Sequence, residues 1–229
     1  MTELLTSIED VTRSQPCRVV FSRRGRHAFG GIPAIDYIGC ALPIPVHHIF
    51  TLDTADRLSP LRFDCARFVP LVYPLAYSEG GGEISYRVLS DNAIEVTHLS
   101  EYLETDTPYF QLPCLPQRNA RLAPLTYAEQ RILGSDIRNW SFFDRRRMTR
   151  LWNGSCFRVS GMLKYDSERG SQSCPISRDG SKCSAWRFAT FPATTGPFGD
   201  IWHEYSSDVW FCFSLCVDCG TIHAFNECT

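Results

Sequence analysis

The sequence predicts an α+β fold built mainly from antiparallel β-sheets, with a few flanking helices. Short segments of alternating apolar and polar residues recur along the chain, and turns rich in glycine and proline separate them. Apolar residues at helical spacing are confined to three stretches. The 229 residues are 44% hydrophobic and 21% charged, which supplies enough apolar material for a globular core.

The N-terminal part of the chain is predicted to form one helix and then an antiparallel meander. Helical spacing runs from residue 3 to residue 13 and ends before Pro16. Pro70 and Pro74 fall within one predicted strand, which is therefore an edge strand or irregular, because proline lacks the N–H group of a β-ladder. The predicted strands are 18–21, 46–53, 68–77, 83–89 and 93–99.

The middle of the chain is predicted to be a connector followed by helices. Four prolines and little periodicity between residues 107 and 124 indicate a connecting segment. Thr126 and Glu129 have the spacing of a capping box, and Gly134 can end that helix. A further helix is predicted over residues 136–152. The predicted later strands are 157–162, 185–191, 208–215 and 221–225.

We predict a single domain over residues 1–229, with two candidate halves at 1–106 and 153–229. A proline-rich and helical connector joins them. In both ranges a glycine turn is followed by one or two cysteines, and a pair of predicted strands comes after them. This echo fits a duplication, although any two β-meanders share turns and strands.

Charge and hydropathy narrow the functional classes. The net charge is −2, which does not favour bulk attraction to nucleic acid or to an anionic membrane. The sequence contains no run of about eighteen apolar residues, so no transmembrane helix is predicted. The first ten residues are acidic and lack a basic leader, so we expect a cytoplasmic protein. The sequence leaves the oligomeric state open.

The cysteines carry the strongest chemical signal. There are 11, an odd number at scattered spacings, which is unlike a secreted disulfide scaffold. Cys216 and Cys219 lie at the spacing of a thiolate metal clip and are followed by glycine. With Cys174 and Cys183 they predict a four-thiolate structural zinc site, in which Cys228 or His223 are alternatives to Cys183. Inert core cysteines and a redox pair remain open.

No catalytic motif dominates the sequence, so we expect a protein that is not an enzyme. Asp200, His203 and Glu204 bring two acids and an imidazole together, which general acid–base chemistry would require. A metal-dependent enzyme, or a zinc-stabilised protein of another activity, is the alternative. His47 and His48 are interpreted as one packed and one exposed histidine, because neighbouring strand residues face opposite sides.

The most basic cluster is Arg145–Arg147 with Arg150. Its aromatic neighbours Phe142, Phe143 and Trp152 could stack on bases. We favour instead a solvated helix face whose aromatic residues are buried, and therefore no nucleic-acid partner.

Several motifs resemble the YwqG-like bacterial domain family over roughly residues 1–229. They are the loop Phe29–Pro33, the strand Val46–Asp53, the step Gly199–Asp200 and the cysteine segment from Cys216 to Cys228. The resemblance implies a mostly β core with flanking helices and, in some members, paired cysteines in the second half. Genes of this type lie near polymorphic toxins, which implies an immunity role for some members.

The expected function is therefore neutralisation of a cognate toxin by direct binding and occlusion. Acidic residues gather along the predicted strand at 93–99 and the loop that follows it. They could contact a basic partner, although an ordinary solvated surface also explains them. The predicted contacts are Glu95, Glu101, Glu104, Asp106, Asp200, His203 and Glu204.

Overall fold

The fold is a mostly antiparallel β-structure with few helices. The computed structural model describes residues 15–32, 34–39, 42, 44–75, 77, 82–101, 114–133, 139, 141–146, 158–159, 171–173, 184–192 and 209–228. Within these ranges, 13 strands form one continuous hydrogen-bonded sheet. The described helices are α1, Tyr127–Leu133, and a five-residue helix at 142–146. None of the described helices has the length and hydropathy needed to cross a membrane.

The strands follow the chain from β1 to β13. They are β1 Cys17–Phe21, β2 His27–Phe29, β3 Asp36–Ile38, β4 His47–Asp53, β5 Phe68–Tyr73, β6 Glu83–Ser90, β7 Ala93–Leu99, β8 Arg118–Pro124, β9 Arg158–Val159, β10 Ser171–Ser173, β11 Ser184–Pro192, β12 Val209–Cys216 and β13 Thr221–Cys228. Their order in the sheet is β3-β7-β6-β13-β12-β11-β9-β1-β8-β2-β4-β5, with β10 on β11. The β3–β7 pair is parallel.

Strands from both candidate halves share this sheet. The later strands β9 to β13 lie between two groups from the earlier part of the chain. β13 pairs with β6 on one side, and β9 pairs with β1 on the other. The division at 1–106 and 153–229 and its duplication stay predictions.

The sheet curls so that β4 and β5 pack against its other end. Tyr86 on β6 donates its hydroxyl to Pro70 O at 3.0 Å and accepts from Val72 N–H at 3.3 Å. The rings of Tyr73 and Phe211 lie 5.3 Å apart. The main core therefore lies between the two ends of the sheet. Its largest fully buried side chains include Tyr73, Tyr86, Phe29, Phe50, Phe191, Phe211 and Phe213.

The proline argument for β5 is confirmed. β5 ends the strand order, so it is an edge strand, and its free edge carries Pro70 where no N–H group is needed. The Tyr86 hydroxyl satisfies the neighbouring backbone groups on that edge. An edge that is covered in this way is a poor template for pairing with another chain.

The capping box is also confirmed. Thr126 N–H donates to Glu129 Oε2 at 2.7 Å, and Glu129 N–H donates to Thr126 Oγ1 at 3.3 Å. These bonds satisfy backbone donors that the first turn of α1 leaves without helical partners. Arg18 on β1 lies 3.4 Å from Glu129 and joins α1 to the sheet.

One segment differs from the prediction. The connector expected at 107–124 contains strand β8, which pairs with both β1 and β2. Ala120 and Leu122 are buried while Arg121 between them is exposed, so buried and exposed residues do alternate along β8. The alternating stretch is short, and one of its buried residues is a small alanine, so the sequence pattern is weak. The predicted helix at 136–152 is described as helical at 142–146, and the predicted helix at 3–13 lies outside the described residues.

Candidate functional site

The tight turn between β12 and β13 presents the paired cysteines. Cys216 ends β12 and pairs with Thr221 at the start of β13, so residues 217–220 form the turn. Gly220 has φ +66°, a conformation that side chains with a Cβ rarely adopt. The glycine after the second cysteine is therefore required by the backbone reversal.

Cys216 and Cys219 lie together on the outer face of the sheet, which is the face opposite the main core. Leu215 belongs to the main core, and alternation along β12 turns Cys216 to the other side. There Cys216 and Ala185 form a small separate apolar cluster, against which Cys219 packs. Cys219 Sγ also lies 3.1 Å from Thr221 Oγ1. The two thiols thus share one environment, as a metal clip requires.

His223 lies on the same outer face, directly opposite Ser85 in the β6–β13 ladder. Its Nδ1 atom is 2.8 Å from Ser85 Oγ, and the imidazole is 2% exposed. The Nε2 atom is buried and has no hydrogen-bond partner. Burial lowers the pKa of His223 to about 4, although the nearby Cys219 acts to raise it. The ring is therefore neutral at pH 7 with one nitrogen unused.

The described residues do not bring a complete metal site together. No three His, Cys, Asp or Glu side chains converge on one point within the described ranges. Cys174 and Cys183 lie outside the described residues, and only the backbone of Cys228 is described. The four-thiolate zinc site therefore stays a prediction.

A second buried histidine, His27 on β2, is fully bonded. Asp53 N–H donates to its Nδ1 at 3.0 Å, so Nε2 carries the proton and donates to Asp56 Oδ2 at 3.0 Å. Burial lowers the pKa of His27 despite the carboxylate of Asp56. No ring nitrogen is left to act as a base, so this His–Asp pair holds the β4–β5 connection in place.

Asp53 anchors the same cluster. Its carboxylate accepts two hydrogen bonds from Arg67, at 3.0 and 3.1 Å, and one from Ala55 N–H at 3.0 Å. The hydrogen bonds from Arg67 lower the pKa of Asp53, and the buried carboxylate stays ionised. We call His27, Asp53, Asp56 and Arg67 the His27 cluster.

The interpretation of His47 and His48 as one packed and one exposed histidine is wrong. Both are buried, because both faces of β4 are covered. His48 uses Nδ1 with Gly30 O at 2.7 Å and Nε2 with Thr51 Oγ1 at 2.8 Å. Leu75 N–H donates to His47 Nδ1 at 3.3 Å. Both rings therefore join backbone segments.

The predicted acidic contact surface is described only in part. Glu95 lies 3.5 Å from Arg87, which partly neutralises it, and Glu101 is exposed. The other predicted contacts lie outside the described residues, so their role stays a prediction. They are Glu104, Asp106, Asp200, His203 and Glu204.

An exposed aromatic surface was not expected from the sequence. Tyr127 is 83% exposed, Phe142 71% and Phe143 77%. We call these three residues the aromatic surface. The interpretation of Phe142 and Phe143 as buried helix residues is wrong, and the adjacent Arg145 and Arg146 are exposed as well.

Local hydrogen bonds hold this surface in place. Asp144 N–H donates to Ser141 Oγ at 3.1 Å, and Ser141 N–H donates to Asp144 Oδ2 at 3.1 Å, which caps the 142–146 helix. Arg131 on α1 lies 3.2 Å from Asp144. Tyr127 is four residues before Arg131 and shares its helix face. The Ser141–Asp144 spacing was the available sequence signal for this cap.

No protein-family model matches the chain, and no curated protein or solved structure matches it either. The resemblance to the YwqG-like family therefore stays a prediction. The function has to be argued from the side chains described above.

Proposed function

We propose that this chain is a cytoplasmic immunity protein that binds a cognate toxin and covers the toxin's active site. The observation that supports a binding role is the aromatic surface, where three large aromatic side chains are 71–83% exposed. Lone exposed apolar residues are common on proteins, but two contacting aromatics beside arginine, as at Phe142 and Phe143, are typical of interfaces. The family resemblance supplies the toxin as partner.

The energetics suit a protein interface. Burying one such aromatic side chain stabilises a complex by roughly 1.5–3 kcal/mol. Tyrosine and arginine are also enriched among the residues that dominate binding energy. The helix cap and the Arg131–Asp144 ion pair fix the surface before binding, which reduces the entropy lost on association.

The exposed arginines indicate the chemistry of the partner. Arg145 and Arg146 flank the phenylalanines, so the matching toxin surface is apolar with acidic groups at its rim. The acidic residues from Glu95 to Asp106 and the 199–205 loop remain the second proposed contact surface, suited to a basic region of the toxin.

Two of the described histidines, His27 and His48, favour binding over catalysis. His27 and His48 each use both ring nitrogens within the fold. A general base needs a nitrogen that can reach a substrate proton. These two rings are committed to the scaffold.

Co-expression with the toxin encoded by the neighbouring reading frame tests the proposal. The parent chain should restore growth and form an isolable complex. The double variant Phe142→Ser/Phe143→Ser should weaken the complex by at least about tenfold, since losing two anchors costs more than 1.4 kcal/mol. Ile32→Ser is the matched control, because Ile32 is 81% exposed outside the aromatic surface. Failure of the parent to protect or to bind overturns the proposal.

A nucleic-acid partner is the second candidate, and the same exposed residues favour it. Phe142 and Phe143 can stack on bases while Arg145 and Arg146 contact phosphates. Such binding should weaken steeply with salt. Titration of labelled single-stranded RNA and DNA at low and physiological salt decides this, and absence of low-salt binding excludes the candidate.

A further inference from the structure

We propose that the β12–β13 hairpin binds a zinc ion through Cys216, Cys219 and His223. This inference is independent of the toxin proposal, because it concerns a site within the sheet. It assigns the imidazole of His223 as a ligand of the paired thiols, where the sequence alone favoured a second pair of cysteines.

The unused Nε2 atom of His223 is the main observation. It is buried on a side chain that is 2% exposed, and it has no hydrogen-bond partner. Leaving such a polar atom unsatisfied costs about 1–3 kcal/mol. A metal ion removes that cost, because it accepts the nitrogen lone pair.

The other ring nitrogen has the partner that a metal-binding histidine needs. Nδ1 lies 2.8 Å from Ser85 Oγ. When Nδ1–H donates to this hydroxyl, the lone pair is placed on Nε2 and the ring is held in one orientation. Histidine ligands of metals are almost always fixed in this way by a second hydrogen bond.

The thiols complete the donor set. Cys216 and Cys219 are reduced, pack in one small cluster and flank the tight turn that Gly220 permits. Cys219 is close enough to His223 to interact with it electrostatically. Two thiolates and one imidazole are ordinary zinc ligands, whether the fourth position holds a protein group or water.

The three donors do not yet converge on one point. Cys219 Sγ is turned toward Thr221 Oγ1 at 3.1 Å. A cysteine side chain has one torsion with three staggered positions, so the thiol can turn to a metal while the backbone stays in place. Zinc binding should therefore break the Cys219–Thr221 contact and leave the ladder register unchanged.

The test is zinc and cobalt binding by the purified full chain. We expect one zinc per chain by elemental analysis, and a tetrahedral cobalt spectrum with sulfur-to-metal charge transfer. Cys216→Ser, Cys219→Ser and His223→Gln should each lower zinc affinity at least tenfold. Ser85→Ala keeps all three ligands and should lower affinity by about 10–100-fold, the usual effect of removing an outer-shell partner.

Cys212→Ser is the matched control. Cys212 is a buried, reduced thiol on β12, and it faces the same side as Cys216 because the two are separated by four residues. This variant should bind zinc like the parent. The proposal is overturned if the parent binds no zinc. It is also overturned if His223→Gln binds zinc with the affinity of the parent while Cys174→Ser and Cys183→Ser lose affinity. The second result would instead establish the four-thiolate set.

Discussion

The His27 cluster and the surroundings of His223 both bury an imidazole in the sheet, yet they use its nitrogens differently. His27 donates to Asp56 and accepts from the backbone of Asp53, so both nitrogens are occupied. His223 uses Nδ1 with Ser85 and leaves Nε2 without a partner. Burial lowers the pKa of both rings.

This difference separates a structural histidine from one that is available for chemistry. Both histidines are buried and both have a lowered pKa, so neither burial nor a lowered pKa identifies a functional site. A carboxylate beside an imidazole does not identify one either, because the His27–Asp56 pair has no spare atom. The decisive property is an unused nitrogen beside other metal-binding groups, and His223 has it.

The largest expected effect is the loss of the His27 cluster. His27→Leu leaves the buried N–H of Asp53 without an acceptor and Asp56 Oδ2 without its donor. We expect the free energy of unfolding to fall by about 4 kcal/mol, from two unsatisfied groups at about 1–3 kcal/mol each. Urea denaturation in the presence of a chelator measures it.

The same substitution at His223 is the control for that experiment. In metal-free protein His223→Leu removes an Nε2 atom that lacks a partner and one hydrogen bond, between Nδ1 and the buried Ser85 hydroxyl. One unsatisfied hydroxyl costs about 1–3 kcal/mol, so the loss should be smaller than at His27. Equal losses at the two positions would show that the two histidines contribute alike and would remove the contrast between them.

A middle-sized effect is expected in the pH dependence of metal-free stability. An unfolded histidine titrates near pH 6.5, whereas folded His223 titrates at about 4. The unfolded chain therefore binds more protons between these values, and stability is lost as pH falls from 6.5 to 4. The contribution of His223 is complete above pH 6.5 and amounts to at most about 3 kcal/mol.

His223→Gln should flatten this part of the profile. Denaturation midpoints at pH 7, 5.5 and 4.5 compare the variant with the parent. Parallel profiles for the two proteins would mean that the His223 imidazole has an ordinary pKa in the fold.

The smallest effect is expected at the exposed side of the His27 cluster. Arg67 donates two hydrogen bonds to Asp53, but its side chain is more than half exposed, so water replaces much of the interaction. Arg67→Ala should lower the midpoint of urea denaturation at pH 7 by less than His27→Leu does, because solvent screens the exposed guanidinium. A loss of stability as large as that of His27→Leu would show that the Arg67–Asp53 ion pair stabilises the fold as much as the His27 imidazole does.

Much of the sheet could be predicted from the sequence. Alternation located β4, β6 and β7, because polar and apolar residues alternate along these strands. The strands β1 and β11 to β13 were predicted as short strands between turns. The Thr126–Glu129 cap was predicted because both partners lie within one turn. β8 was missed because a small alanine occupies one of its core positions, which weakens the pattern.

The candidate sites were less predictable, because they depend on contacts between distant segments. Ser85 and His223 are 138 residues apart, and only the strand register brings them together. The exposure of Phe142 and Phe143 likewise depends on what surrounds the helix, which local periodicity does not encode. The cysteine pair was found because its two residues share one turn.

The pairing of β6 with β13 has a consequence for synthesis on the ribosome. β6 and β7 emerge as a hairpin, but the other edge of β6 has no partner until residues 221–228 have been made. Such late, long-range pairing slows folding and leaves an open strand edge in the nascent chain. Glu83 and Arg87 place charges along that strand and discourage neighbouring chains from occupying the edge first.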